Sequence, residues 1–122
     1  MTARSVVLAV LADVLVVLVF AGVGRSSHDD GVTAAGVAAT AWPFLVGLAF
    51  GWLAAWGVQD ATALRTGAAV WSGTVIVGML LRTLGGDPPA VSFVLVAFLV
   101  VGVGQVGWRA VYAMVRRVGR TA

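Results

Sequence analysis

Residues 5–24 read SVVLAVLADVLVVLVFAGVG, a run in which Asp13 is the one charged side chain. An α-helix needs roughly 20 apolar residues to cross about 30 Å of hydrocarbon. Valine-rich runs are also typical of strands, but strands rarely continue this far, and an open sheet leaves backbone groups unsatisfied in lipid. The run is too long for the core of a signal peptide, and Asp13 interrupts it. We therefore predict a retained transmembrane helix.

Three further apolar runs follow, over residues 33–57, 66–84 and 91–115, joined by short polar or Gly-Pro-rich connections. The chain is 61% hydrophobic and 11% charged, far from the roughly 25% charged residues of soluble domains. Short connections make sequential helices antiparallel. The sequence thus predicts an all-α fold: one domain over residues 1–122, an integral membrane four-helix bundle running up-down-up-down.

The charges indicate orientation rather than nucleic-acid binding. The net charge is +3, but all eight basic residues are arginines placed at the ends of apolar runs. Six fall on one side, namely Arg4, Arg65, Arg109, Arg116, Arg117 and Arg120. That side is predicted to be cytoplasmic, with both termini. The aromatic residues predicted for the same interface are Trp52, Trp56, Trp108 and Tyr112.

Asp13 is the most informative polar residue. It lies about 12 Å into the first helix, near the membrane midplane. A carboxylate there costs at least about 2.5–3.5 kcal/mol, so it must face the bundle. Arg109 and Gln105 bracket its depth on the fourth helix. Pairing with Arg109 would favour a structural role, contact with Gln105 would leave the acid free to titrate, and Arg109 could instead extend to the interface.

Other polar groups are expected at a similar depth. Pro43 removes a backbone donor from the second helix and frees the carbonyl of Ala39, and Thr40 lies beside it. Such a break lines cavities in some transporters, although many membrane helices contain proline without that role. The predicted mid-membrane polar site consists of Asp13, Thr40, Pro43, Thr74, Gln105 and Arg109.

A second polar group is predicted at the opposite, outer surface. It consists of Arg25, His28 and Arg82. Two arginines and a histidine could hold a phosphate or carboxylate, or they could be anchors in a solvated loop. No metal site is predicted, because His28 and the two aspartates after it are consecutive and rarely converge on one ion. No cysteine is present, and no cofactor is predicted.

Gly47 and Gly51 form a G-x-x-x-G pattern in the second helix. Small residues at this spacing let another helix approach closely. The pattern fits packing within one chain and dimerisation equally well.

Taken together, these positions resemble a family of small prokaryotic membrane proteins, the domain of unknown function DUF3054. The resemblance rests on the order and spacing of short motifs: Asp13, Phe20, Gly24-Arg25-x-x-His28, Thr40-Ala41-Trp42-Pro43-Phe44-x-x-Gly47, Gly73-Thr74, Arg82 and Gly107-Trp108-Arg109. It covers nearly the whole chain. It implies one recurring design in a prokaryotic cytoplasmic membrane and carries no established activity.

Two functions are expected from these features. The first is a transporter or channel with an acidic mid-membrane site. It would require an oligomer, because four short helices are too few to enclose a transport path. The alternative is a structural or accessory subunit that docks a membrane partner. An enzyme is not expected, since no nucleophile or metal set is evident. The expected partners are the lipid bilayer and either a second copy or another membrane protein.

Overall fold

The fold is seen in a computed structural model that describes residues 2–27, 32–56 and 60–121. Within these residues all regular structure is α-helical, and no strand occurs. The helices are α1 (Ala3–Ser27), α2 (Ala34–Ala55), α3 (Leu64–Leu84) and α4 (Val91–Thr121). All four are long and apolar enough to span a membrane. The prediction of an all-α protein with four such helices is confirmed.

The helix ends differ from the predicted ones mainly at α4, which ends at Thr121 rather than at residue 115. Its 31 residues correspond to about 46 Å, well beyond the roughly 30 Å of hydrocarbon. The side chains of residues 111–120 are all exposed. The last turns therefore extend past the bundle, because the arginines that end the apolar run are themselves good helix formers.

The four helices form a closed ring in which α1 packs on α2 and α4, and α3 packs on the same two helices. The aromatic side chains of Phe20, Phe44 and Phe93, which belong to α1, α2 and α4, meet inside the bundle. The centroid of Phe20 lies 5.4 Å from that of Phe44 and 5.6 Å from that of Phe93. Between α3 and α4, the Trp71 indole nitrogen donates to the Phe98 carbonyl at 2.9 Å.

Glycines set the close contact between α2 and α3. A Cβ atom on Gly47 would lie 2.6 Å from the carbonyl oxygen of Gly73, and one on Gly51 would lie 2.7 Å from the Cα of Val70. Backbone atoms cannot rotate away from such an overlap, so only glycine permits this separation. The Gly47 and Gly51 pattern is thus used for packing within the chain.

The distribution of polarity is inverted relative to a soluble protein. The fully buried side chains include Asp13, Arg109 and Gln105, whereas Leu99 and Val103 are 62% and 74% exposed. A large apolar surface of this kind needs a lipid environment, and polar groups within membranes face the bundle interior. The architecture is that of a small membrane protein.

Candidate functional site

Asp13 on α1 and Arg109 on α4 form an ion pair in the interior of the bundle. Arg109 Nη1 donates to Asp13 Oδ1 at 2.8 Å, and Arg109 Nη2 donates to Oδ2 at 2.8 Å. Both side chains are 0% exposed. Two parallel N–H bonds from a guanidinium to a carboxylate are among the strongest polar contacts in proteins. Of the alternatives left open for Arg109, the structure has the pairing with Asp13 and not extension to the interface.

Two tryptophans complete the shell around this carboxylate. The Nε1 of Trp52 on α2 donates to Asp13 Oδ2 at 3.0 Å, and the Nε1 of Trp108 on α4 donates to Oδ1 at 2.9 Å. Each oxygen therefore accepts two N–H donors. An ionised carboxylate offers about four lone-pair sites, so the arrangement saturates it. We call Asp13, Trp52, Trp108 and Arg109 the Asp13 cluster.

The rest of the Arg109 guanidinium is held equally closely. Its Nε donates to the carbonyl of Ala61 at 3.0 Å, and Nη1 donates also to the carbonyl of Gln105 at 2.8 Å. Its Cζ lies 4.3 Å from the centroid of a Trp108 ring, within the range of a cation–π contact. Arg109 thus links α4 to α1 and to the connection between α2 and α3.

That connection is ordered by its own hydrogen bonds. The Thr62 backbone N–H and hydroxyl both donate to Asp60 Oδ1 at 3.0 Å, and the Thr66 hydroxyl donates to the Asp60 carbonyl. The two bonds from Thr62 are the main reason that the pKa of Asp60 lies below its ordinary value. Residues 60–63 consequently present the Ala61 carbonyl to Arg109 from a fixed turn.

Gln105 and Thr74 lie next to the Asp13 cluster and form a weaker pair. Gln105 Nε2 is 3.4 Å from the Thr74 hydroxyl oxygen, which itself donates to the Val70 carbonyl at 2.7 Å. Gln105 Oε1 is buried and has no hydrogen-bond partner among the described residues. Gln105 meets the cluster through its backbone carbonyl, because Arg109 occupies the carboxylate.

The predicted mid-membrane set is divided by the structure. Asp13, Arg109, Gln105 and Thr74 follow one another in contact, whereas Thr40 and Pro43 line a cavity with Arg25 and Arg82. Depth along a helix gave the same layer for all six residues but did not give the direction in which each side chain faces. Thr40 and Pro43 therefore belong with the predicted outer group.

Arg25 and Arg82 share a cavity of about 440 Å³, lined also by Thr40, Phe20 and Phe93. We call it the arginine pocket. A second cavity of about 310 Å³ shares Arg25, Thr40 and Arg82 with it, and extends to Trp42, Pro43 and Asp87. The third member of the predicted outer group, His28, lies outside the described residues.

The two arginines are held in different ways. The Cζ of Arg82 lies 4.3 Å from the Phe93 ring centroid, and its Nη2 lies 3.2 Å from the exposed carboxylate of Asp87. Arg82 Nε is buried and has no hydrogen-bond partner among the described residues. The Arg25 guanidinium lies against α2, where a Cβ atom on Gly36 would be 2.5 Å from Arg25 Cζ.

Trp52 and Trp108 are the site residues that sequence reasoning missed. Both were assigned to the interfacial belt, but Trp52 is only 5% exposed and Trp108 is half-buried, while Trp56 and Tyr112 are 60% and 43% exposed. A buried indole N–H usually requires an acceptor. The nearby buried acid was therefore a signal that could have located them.

The residues that the structure describes contain no group of three or more His, Asp or Glu side chains that could hold a metal ion. The polar chemistry of this part of the chain is instead a saturated ion pair and a cationic pocket. The first can fix helices to one another, and the second can bind an anion.

Comparison with protein families gives a match. The model of the family described as "Protein of unknown function (DUF3054)" matches residues 10–112. That range includes the Asp13 cluster and the arginine pocket. Neither the curated proteins nor the solved structures give a match.

Proposed function

We propose that this chain, which belongs to the DUF3054 family of unknown function, is a structural or accessory membrane protein whose interior is held closed by the Asp13 cluster. The observation that carries the proposal is the saturation of the Asp13 carboxylate by four N–H donors from Arg109, Trp52 and Trp108. A mid-membrane acid with this surrounding supports helix packing rather than ion exchange.

A carrier that used Asp13 would have to release it from these donors in each cycle. Removing one partner of a buried ion pair typically costs about 3–5 kcal/mol, because the other charge is left uncompensated. The Asp13 oxygens also lack spare acceptor capacity for a proton or a cation. An oligomeric transporter or channel centred on Asp13 remains the competing function, and the flux experiment below separates the two.

The proposed topology is up-down-up-down with both termini in the cytoplasm. Contacts between α1 and α2 support an antiparallel arrangement, because the partner moves toward the start of α2 as the contact moves toward the end of α1: Asp13 contacts Trp52, and Phe20 contacts Phe44. Six of the eight arginines lie toward the same end in this arrangement, which fits the positive-inside rule. The proposed location is the prokaryotic cytoplasmic membrane.

The proposed partners are bilayer lipids and either a second copy or another membrane protein, and the proposal includes no catalysis. A protein partner would contact surfaces other than the Gly47 and Gly51 seam, which α3 already covers. The exposed apolar side of α4, with Leu99 and Val103, is the type of surface that such a partner or lipid would cover.

The proposal is tested by flux into proteoliposomes, measured for protons, sodium, potassium and a cationic dye. The expected result is that the parent protein gives the same flux as protein-free liposomes. Asp87→Asn is the matched control, because the Asp87 side chain is 75% exposed and lies outside the Asp13 cluster. Flux by the parent that Asp13→Asn abolishes and Asp87→Asn retains would refute the proposal in favour of a transporter.

A stability measurement on the same variants gives the positive arm of this test. Asp13→Asn is expected to lower the free energy of unfolding by about 3–5 kcal/mol, and Asp87→Asn by no more than about 1 kcal/mol, as for an exposed ion pair. Equal stability of the two variants would remove the structural role that the proposal assigns to Asp13.

A further inference from the structure

The arginine pocket continues into an apolar cleft on the outside of the bundle. The cleft has a volume of about 400 Å³ and shares Phe20 and Phe93 with the pocket. Its outer part is formed by Val19 and Val23 of α1 and by Val96 of α4. These valines are 51–61% exposed, so the cleft opens toward the lipid. A cationic cavity and a hydrophobic cleft therefore meet at two phenylalanines.

The pocket has the charge and geometry to bind an anion. Two of its described lining residues are cationic, Arg25 and Arg82. The carboxylate of Asp87, in the adjoining cavity, lies 3.2 Å from Arg82 and is 75% exposed. Guanidinium groups bind phosphate and carboxylate by paired N–H bonds. Arg82 Nε, buried without a partner among the described residues, is a donor that an anion in the pocket would satisfy.

Uncharged polar groups add to this set. Thr40 lines both cavities, and a threonine hydroxyl can donate to an anionic oxygen. Pro43 has no N–H, so the carbonyl of Ala39, a residue that lines the smaller cavity, lacks its helical donor. A ligand head group that carries a hydroxyl could supply one. The arginine pocket thus offers cationic and hydroxyl donors, and the adjoining smaller cavity adds one acceptor.

We propose that this end of the bundle binds an anionic amphiphile, with its phosphate or carboxylate group between Arg25 and Arg82 and its acyl chain in the cleft between α1 and α4. A free anion would use only the pocket, and an uncharged lipid would use only the cleft. The continuity of the two through Phe20 and Phe93 favours one molecule that has both parts. This inference does not depend on the role proposed for the Asp13 cluster.

The test is native mass spectrometry of the detergent-purified chain with dioleoyl phosphatidylglycerol, dioleoyl phosphatidylcholine or glycerol phosphate. The parent is expected to retain phosphatidylglycerol best, and glycerol phosphate, which lacks acyl chains, much more weakly. Arg25→Gln and Arg82→Gln should each weaken phosphatidylglycerol binding about tenfold or more, the effect of losing a charge-assisted hydrogen bond. Arg4→Gln and Arg65→Gln remove the same charge at exposed positions outside the pocket and should leave binding unchanged.

Three results would overturn the proposal. The first is phosphatidylglycerol binding that survives both pocket substitutions. The second is equal retention of phosphatidylcholine, which would make the cleft a nonspecific lipid surface. The third is glycerol phosphate bound as tightly as the lipid, which would assign the pocket to a soluble anion.

A variant that leaves every charged residue in place tests the proposal if the arginine variants do not fold. Gly36→Ala places a methyl group where the Arg25 guanidinium lies, and that flexible side chain must move away. Gly22→Ala is its control, because a Cβ there meets nothing within 4 Å. Weaker phosphatidylglycerol binding in Gly36→Ala alone supports the proposal, and equal binding in both variants contradicts it.

Discussion

Substitution of Gly47 by alanine would test how α2 and α3 are held together. The added Cβ would lie 2.6 Å from the Gly73 carbonyl oxygen and 2.7 Å from that of Thr74. Comfortable separations between non-bonded atoms are about 3.5–4.0 Å. Both neighbours are backbone atoms, so no rotamer change relieves the overlap, and the two helices must separate by roughly 1 Å.

The cost of this overpacking is about 1–3 kcal/mol. Alanine also gains about 1 kcal/mol over glycine in a helix, so the variant must be compared with a glycine substitution that meets no neighbour. Gly22→Ala on α1 is that control, since nothing lies within 4 Å of its Cβ position. We expect the free energy of unfolding of Gly47→Ala to be lower than that of Gly22→Ala by about 1–3 kcal/mol.

The assay is unfolding of the purified chain by sodium dodecyl sulfate, followed by circular dichroism, with light scattering to give the oligomeric state. Gly47→Ala should be less stable without a change in the number of chains per particle. If Gly47→Ala is as stable as Gly22→Ala but dissociates an oligomer, then Gly47 packs against another chain rather than against α3, and the reasoning is refuted.

Three further substitutions probe individual polar contacts. Trp52→Phe removes one donor from the buried carboxylate and should cost about 1.5–3 kcal/mol, whereas Trp42→Phe, at a 51% exposed position, should change stability by less than about 0.5 kcal/mol; equal losses in unfolding assays would contradict this. Gln105→Met should be tolerated within about 1 kcal/mol in the same assays, because Oε1 has no hydrogen-bond partner among the described residues, and a larger loss would show that its amide contributes more than the contacts described. The hydrogen bonds from Thr62 lower the pKa of Asp60 below its ordinary value of 3.8, so the ionised carboxylate stabilises the fold at pH values above 3.8. The difference in stability between the parent and Asp60→Ala should therefore disappear as the pH falls through the pKa of Asp60 in the folded protein. A difference that persists in acid would refute this prediction.

The four helices were predictable because length and hydropathy determine them almost without reference to packing. Twenty apolar residues that must satisfy their backbone in lipid have one regular solution. The end of α4 was less predictable. Arg116, Arg117 and Arg120 end the apolar run, but they are compatible with helix in water, and no proline stops them.

The Asp13 cluster was predictable in part. Depth along the helix reduced the partners of Asp13 to Arg109 and Gln105, which lie one turn apart on the same face of α4. Depth cannot choose between them, because both side chains reach the same layer. The choice depends on packing: Arg109 satisfies Asp13 and the Ala61 carbonyl together, which the shorter Gln105 side chain could not do.

The direction of a side chain around its helix was the information that sequence lacked. The end of α2 was missing as well: Trp56, four residues after Trp52, lies past Ala55 in extended backbone and is 60% exposed, whereas Trp52 contacts Asp13. Thr40 has a depth similar to that of the mid-membrane residues and lines the arginine pocket. A hydrophobic environment on both sides of a membrane helix weakens the periodic signal that reveals the buried face of a soluble one.

The central claim, that Asp13 and Arg109 form a structural pair, is tested most directly by a double-mutant cycle on the free energy of unfolding. Asp13→Asn and Arg109→Gln should each cost about 3–5 kcal/mol, because each leaves one buried charge uncompensated. The double variant, which carries neither charge, should lose about 2–3 kcal/mol less than the sum of the two single losses. Single losses that add without coupling, or an Asp13→Asn variant as stable as the parent, would contradict the account.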